Sequence, residues 1–388
     1  MSLKTILLLA AVWGLTACEH PSNQLGVKSV PSTATPSSSP SGTTVVPFDN
    51  TAEFAAELGL QLRQLEKSGY AGTVLVEQGH QVLFAQGYGY ANRRARVRFT
   101  PDTVAQIASV TKSQTGAAVA ALIAKGQVAL SDPVAKFVPE APEPGRSRTI
   151  AQLLTHSSGL ADICTDDFVH QSEETLVTQC LARPLAYAVG EDNYSNLGYS
   201  TLGLVTQRVT GKPWEEAVRQ LVWEPMGITG IASQFPEVPE KEIARGYLAG
   251  VEHPELSAQL RKLNTDDWAL RGNGSLSAST RSMIRYIDAV VDGSTAYPAA
   301  ATALLRQPVT GQVGAVREGF GMVMRYDQAG AMTRMGHSGS DGVFLSYLGW
   351  LPKNDVRFYF IGNNGEDEAQ KALTAVIRTL ARIPPAAT

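Results

Sequence analysis

The sequence predicts an α/β protein of the α+β kind, with an antiparallel sheet flanked by helices and a second, helical lobe. Three observations point there. Strand-like runs gather near the two ends of the foldable stretch, at 72–89 and beyond 319. The middle, roughly 101–310, holds several helix-like stretches and few strand signals. Two distant groups of hairpins that each need partners are expected to join in one sheet, with the helical middle as its neighbour and a ligand cleft between them.

The elements follow in order. Residues 1–17 carry one lysine and then an apolar stretch from Ile6 to Leu15, too short for a permanent span and the right length for a signal h-region. Leu15 suits the −3 position of ordinary signal cleavage poorly, although a secretory signal stays open. "LTAC", residues 15–18, instead resembles the bacterial lipoprotein signal, in which Cys18 becomes the lipidated first residue. With Glu19 rather than Asp following, that resemblance implies a periplasm-facing anchor, in the outer membrane of a Gram-negative envelope. Residues 18–48, with "PSTATPSSSPSGTT" at 31–44, hold too little apolar surface for a core and read as a disordered tether. About thirty such residues span on the order of 30 Å. If Cys18 carries lipid, Cys164 and Cys180 remain as a pair that an oxidising envelope lets bond.

The folded domain is expected over 49–388, as a sheet lobe from about 49–100 and 311–388 and a helical lobe from about 101–310. Asn50 and Glu53 suit a capping box opening a helix to about Lys67. "GTVLVEQGHQVLFAQGYG" alternates and turns at Gln78-Gly79, a hairpin. Strands are expected at 319–325, 333–338, 343–350 and 356–362, and a helix at 366–382 that ends before Pro384-Pro385. A net charge of −3 gives no basis for nucleic-acid binding. The arginines of "NRRARVRF" at 92–99 read as a solvated edge.

The stretch "IASVTKSQTGAAVAALIAKG", 107–126, is the most informative. Ala117 to Ala124 has no polar break, so the helix is expected to be buried, with Gly126 as its stop. At its mouth Ser109 could serve as an N-cap, but a capping box wants Glu or Gln where Lys112 stands. A cation in the first turn opposes the helix dipole, and burial eases loss of its proton. A serine one turn from such an amine is a nucleophile beside a base.

Two further motifs decide between cap and nucleophile. Tyr194-Ser-Asn196 precedes an apolar run, and His337-Ser338-Gly339 lies between strand-like runs. With Ser109-Val-Thr-Lys112 they resemble, in order, the S-x-x-K, Y-x-N and [K/H]-[ST]-G motifs of the family that holds class C β-lactamases, D-alanyl-D-alanine carboxypeptidases, D-amino-acid peptidases and related esterases. "LLTHSSGL" at 153–160, "EPMGI" at 224–228 and "GNGSLSAS" at 272–279 extend the resemblance over about 50–388. It implies a β-lactamase/transpeptidase-like fold with the nucleophile at a helix start between sheet and helical lobe.

The resemblance also implies roles. Ser109 attacks a carbonyl and is acylated. Lys112 and Tyr194 share the proton work, and either suits the general base. Asn196 orients the lysine and the substrate amide, and the backbone N–H groups of Ser109 and Ser340 form an oxyanion hole. Gly339 lets its strand approach the substrate, with Ser338 beside it, and His337 reaches Tyr194 or a substrate carboxylate. His156 is read as structural, since Ser157 and Ser158 lack the G-x-S-x-G elbow. No metal or cofactor is expected, and the protein is expected to act as a monomer on a small-molecule or peptide substrate. Histidine, unlike the usual lysine of class C enzymes, is not a fixed charge, which weakens a β-lactamase reading. A D,D-carboxypeptidase-like or D-amino-acid peptidase activity on cell-wall-type peptides comes first, an esterase next, a β-lactamase third and a non-catalytic peptidoglycan-binding module last.

Overall fold

The computed structural model describes residues 51–384 except 167–168, 234–237, 254–266, 310–311 and 313. The signal stretch, Cys18, the tether and Asn50 lie outside the described residues. The chain divides into two units, Met1–Val46 and Pro47–Thr388, and only the second is described below.

Seven strands form the main sheet: β1 (Gly72–Gln78), β2 (Gln81–Tyr88), β3 (Val316–Glu318), β4 (Val323–Tyr326), β5 (Met332–Ser340), β6 (Leu345–Leu351) and β7 (Val356–Gly362). Their order is β3-β4-β5-β6-β7-β1-β2, with every neighbouring pair antiparallel. The two ends of the domain meet where β1 pairs with β7, from Gly72↔Gly362 to Gln78↔Val356. All seven residues of β7 are buried, as in a strand covered on both faces, and its one charged side chain, Arg357, is paired with Asp288 and Asp292. The β1–β2 hairpin turns on Gly79 and His80, both at positive φ, one residue later than the alternation suggested.

Helices supply the covers. α1 (Thr51–Lys67) packs against α6 (Glu366–Leu380), with α1 also on β2 and α6 on β6 and β7. α4 (Thr280–Asp292) packs on β1, β6 and β7. Ser279 caps it, accepting from the Ser282 N–H at 3.1 Å, and Met283, Ile284, Ile287 and Val290 form its buried stripe. α4 comes from the 101–310 stretch expected to form a lobe of its own. Its amphipathic stripe instead makes it part of the sheet layer, and Pro47–Thr388 holds together as one unit.

The helix read as buried from its composition is α2 (Thr111–Ala124), in which every residue from Thr111 to Leu122 is buried. It packs between α3 (Asn196–Thr210) and α5 (Ala299–Leu305). The strand expected at 319–325 is broken. Gly319 to Met322 form a turn between β3 and β4, with Gly321 at φ +73 and so close to α2 that a Cβ would strike the Lys112 carbonyl. The chain bends there to seat the sheet edge on the first turn of α2.

The structure joins Cys164 to Cys180 in a disulfide, with Cα atoms 5.5 Å apart and Cys180 fully buried. The bond staples the loop after Leu160 to the turn at 176–180. Closing a loop of this length stabilises a fold by about 3 kcal/mol. Residues 45–388 are therefore expected to yield no alkylatable thiol until denatured and reduced, then two. A Cys164→Ser/Cys180→Ser variant is expected to melt several degrees lower by calorimetry, and an unchanged melting temperature would contradict the staple.

Candidate active site

The site is built around the mouth of α2. Ala108–Val110 form a short 3-10 turn that runs into α2 at Thr111. Ser109 is not an N-cap: neither Ile107 before the turn nor Val110 before α2 makes a side-chain cap, and the Ser109 hydroxyl faces other side chains. Ala108, just before it, sits at φ +45, a strained conformation for a residue with a Cβ. The surroundings hold it there. Ala105–Gln106 pair with Ser277–Ala278, the Ile107 N–H donates to the Leu276 carbonyl at 3.0 Å, and Ser346 Oγ donates to the Ile107 carbonyl at 2.8 Å.

Lys112 is fully buried. Its Nζ lies 3.0 Å from Ser109 Oγ, 2.5 Å from Asn196 Oδ1 and 3.0 Å from the Asn273 carbonyl. Two of these contacts are pure acceptors, so the amine always donates twice. The third decides its role. As an ammonium it donates to Ser109 Oγ as well. As a neutral amine it turns its lone pair to Ser109 and can take the hydroxyl proton. Tyr194 Oη lies 2.9 Å from the same Oγ, and the Lys112 Nζ lies 4.8 Å from the centroid of the Tyr194 ring. The Tyr194 hydroxyl thus donates to the same serine oxygen that Lys112 contacts.

Tyr194 and Asn196 are placed by the loop at 156–162. Asn196 begins α3, capped by Ser195, whose Oγ accepts from the Gly198 N–H at 3.0 Å. His156 Nδ1 accepts from the Ser195 N–H at 3.1 Å, and its ring packs on Tyr194 at 4.5 Å and Tyr199 at 5.1 Å between centroids. His156 is thus a structural residue of the site itself. Burial first, then the nearby Lys112 charge, push its pKa well down, so it stays neutral.

β5 closes the other side. Gly339 meets a further demand there, one that comes from the protein itself. A Cβ would collide with the Ile107 carbonyl and stand 3.0 Å from the Ser109 nitrogen, so the close approach is to the serine's own turn. Ser338 and Ser340 are part-exposed, and Ser340 Oγ donates to Glu366 Oε1. His337 is 6% exposed, and its Nδ1 meets the Ser338 carbonyl, which requires Nδ1 to carry the proton. Nε2 then presents a lone pair. Burial and the Lys112 charge push the His337 pKa down to about 3.

Among the described residues one group could in principle hold a metal: His80, Asp288 and Asp292, with ligand atoms within 4.8 Å. The buried Arg357 already supplies the cation there, 3.2 Å from Asp288 and 2.9 Å from Asp292. That cluster, on α4 and the sheet, reads as an ion-pair network.

The architecture is a β-lactamase/transpeptidase-like fold. The β-lactamase/D-alanine carboxypeptidase from Pseudomonas syringae superposes with a TM-score of 0.72 at 17% identity, covering 86% of this chain and 100% of that one. Residues 61–381 match the family described as Beta-lactamase, and the chain belongs to it. Penicillin-binding protein 4 of Amycolatopsis lactamdurans is 30% identical over 304 residues, 71% of this chain and 76% of that protein. PbpX of Bacillus subtilis (strain 168) is 27% identical over 236 residues, 59% of this chain, and the match spans only 57% of PbpX. The chain is thus a member of a serine β-lactamase and penicillin-binding-like hydrolase family.

The structure brings Ser109, Lys112, Tyr194 and Asn196 into one hydrogen-bonded group, with His337 and Gly339 against it. Sequence reasoning missed two members. The Asn273 carbonyl is a backbone atom, flagged only by its place in "GNGSLSAS". Asp162 stands two residues beyond "LLTHSSGL" and accepts from Asn196.

The neutral histidines set a pH dependence. A folded pKa below the unfolded value near 6.5 means that the unfolded chain takes up a proton the folded chain refuses, so stability falls with acid. For His337 the window runs from about 6.5 down to about 3, at ~1.4 kcal/mol per pH unit. Melting temperatures between pH 7 and 4 are expected to fall more steeply for the wild type than for His337→Gln. Parallel curves would show that His337 takes up its proton in the folded state.

Proposed function

We propose that the chain is a hydrolase that acts through an acyl-Ser109 intermediate on peptides of the cell-wall type built from D-amino acids. The observation that carries this reading is the contact set at Ser109 Oγ, with Lys112 Nζ at 3.0 Å and Tyr194 Oη at 2.9 Å. Attack forms an ester between Oγ and the substrate acyl group. The hydroxyl proton passes to Lys112 or Tyr194 and then to the departing amine, and water later releases the acid by the reverse path. The Ser109 and Ser340 N–H groups are assigned to the oxyanion, a role worth on the order of 10²–10³-fold per donor. The relatives named for penicillin binding support an acylating serine.

His337 bears on the substrate. A neutral imidazole at His337 gives a substrate carboxylate no fixed positive charge. That favours amides and esters without a carboxylate at this point. A D-amino-acid peptidase therefore stands ahead of a D,D-carboxypeptidase, and an esterase is the second reading. A class C-like β-lactamase ranks lower on the same ground.

Residues 45–388 mixed with a penicillin, with intact mass and hydrolysis followed together, test the reading. Any adduct or turnover is expected on the wild type and not on Ser109→Ala, and D-amino-acid amides and simple esters, which lack the penicillin carboxylate, are expected to acylate Ser109 faster than the penicillin. Lys112→Ala is expected to lose about two or more orders of magnitude in acylation rate. If neither penicillin, D-amino-acid amides nor simple esters acylate or turn over, the proposal fails and a binding module takes its place.

We propose too that Cys18 carries lipid and that residues 18–48 tether the catalytic unit to the envelope, supported by the "LTAC" motif and the composition of 31–44. Palmitate labelling in a Gram-negative host is expected for the full chain and not for Cys18→Ala. Label retained by the variant would refute the anchor.

A further inference from the structure

The segment from His156 to Asp162 is hydrogen-bonded to the four residues that flank Tyr194, Asn193 and Ser195 to Leu197. The His156 carbonyl accepts from the Asn193 N–H at 2.9 Å, and Ser195 Oγ donates to the Ala161 carbonyl at 2.8 Å. The Asp162 carbonyl accepts from the Leu197 N–H at 2.8 Å. One carboxylate oxygen, Asp162 Oδ1, accepts from both the Asn196 backbone N–H at 3.1 Å and the Asn196 side-chain Nδ2 at 2.9 Å. The disulfide at Cys164 pins the same segment two residues further on.

The side-chain contact has a consequence for Lys112. An Asn carboxamide has one acceptor end and one donor end. Asp162 takes the donor end, so Asn196 Oδ1 is turned to Lys112. In the flipped orientation Nδ2 would face the Lys112 protons and Oδ1 would face a carboxylate, two repulsive pairs in a buried place. We propose that Asp162 is a positioning residue of the acylation step: it fixes the Asn196 carboxamide so that its oxygen, rather than its nitrogen, meets Lys112. This inference rests on the acyl-Ser109 reading for its kinetic effect, but its geometric content stands apart from it. Asp162 touches no reacting atom. It acts through Asn196, and the hydrogen-bond acceptor at Oδ1 matters rather than the charge.

Acylation by p-nitrophenyl acetate and melting temperature are to be measured for the wild type, Asp162→Ala, Asp162→Asn, Asn196→Ala and the double variant Asp162→Ala/Asn196→Ala. Asp162→Asn keeps an acceptor oxygen and is expected to stay within about fivefold of the wild type, while Asp162→Ala loses about 10- to 100-fold in kcat with KM little changed. In the Asn196→Ala background the Asp162→Ala change is expected to cost no more than about threefold, because both act on one contact. Losses that simply multiply, or a fall in melting temperature with acylation intact, overturn the inference. If Asp162→Ala does not fold, Asp162→Ser replaces it with the same expected loss, and full activity overturns the inference. If the wild type is acylated by no ester, the acyl-serine reading is in trouble, and the positioning is read from a neutron structure of Asp162→Ala or Asp162→Ser, which tells the amide oxygen from its nitrogen. Rotation of the Asn196 carboxamide away from Lys112 supports it, and Asn196 Oδ1 still seated on Lys112 overturns it.

Discussion

A lysine amine with no exposure to water is the constraint on which the rest of this site depends. Burying an ammonium without partners costs several kcal/mol, and a neutral amine still needs its N–H groups satisfied. Lys112 meets that demand with partners that include Ser109 from the turn leading into α2, Asn196 from the start of α3 and the Asn273 carbonyl from the loop before α4. Each partner must be held within a few tenths of an ångström, which explains why so much of the surrounding backbone is clamped. Ser346 grips Ile107, the Leu276 carbonyl takes the Ile107 N–H, and the turn at Gly321 packs on the Lys112 carbonyl.

The same saturation shapes the chemistry. With its contacts to Asn196 Oδ1 and the Asn273 carbonyl fixed as acceptors, what stays open at the Ser109 contact is whether Lys112 gives a proton or takes one. Tyr194 shares the serine oxygen, and its hydroxyl donates to it. The two buried histidines stay out of that exchange. His156 is tied by Nδ1 to the Ser195 N–H and His337 to the Ser338 carbonyl, and burial beside the lysine keeps both neutral.

Much of this was legible in the sequence wherever a residue contradicted its local role. Lys112 stands where a capping box wants an acid, at the head of a helix without a polar face, and that conflict marked the site. The buried α2, the terminal hairpin and the α6 helix followed from periodicity and stop signals. What stayed hidden depends on contacts between distant segments. Periodicity could not show that 319–325 bends at Gly321 to clear α2, or that α4 belongs with the sheet. A backbone carbonyl such as that of Asn273 has no side-chain signature. A second demand on Gly339 could not be read either, because the atoms a Cβ there would meet include those of Ile107 and Ser109, 230 positions or more away in the chain.

The central claim is that Ser109, and no other serine, is the nucleophile that Lys112 serves. The most direct measurement is to label the protein with a fluorophosphonate and locate the modified residue by peptide mass spectrometry, for the wild type and for Lys112→Ala. The account predicts the label on Ser109 and labelling slowed by about two orders of magnitude or more in the variant. Label on Ser157 or Ser158 beside His156, or equal labelling of Ser109 without Lys112, would contradict it.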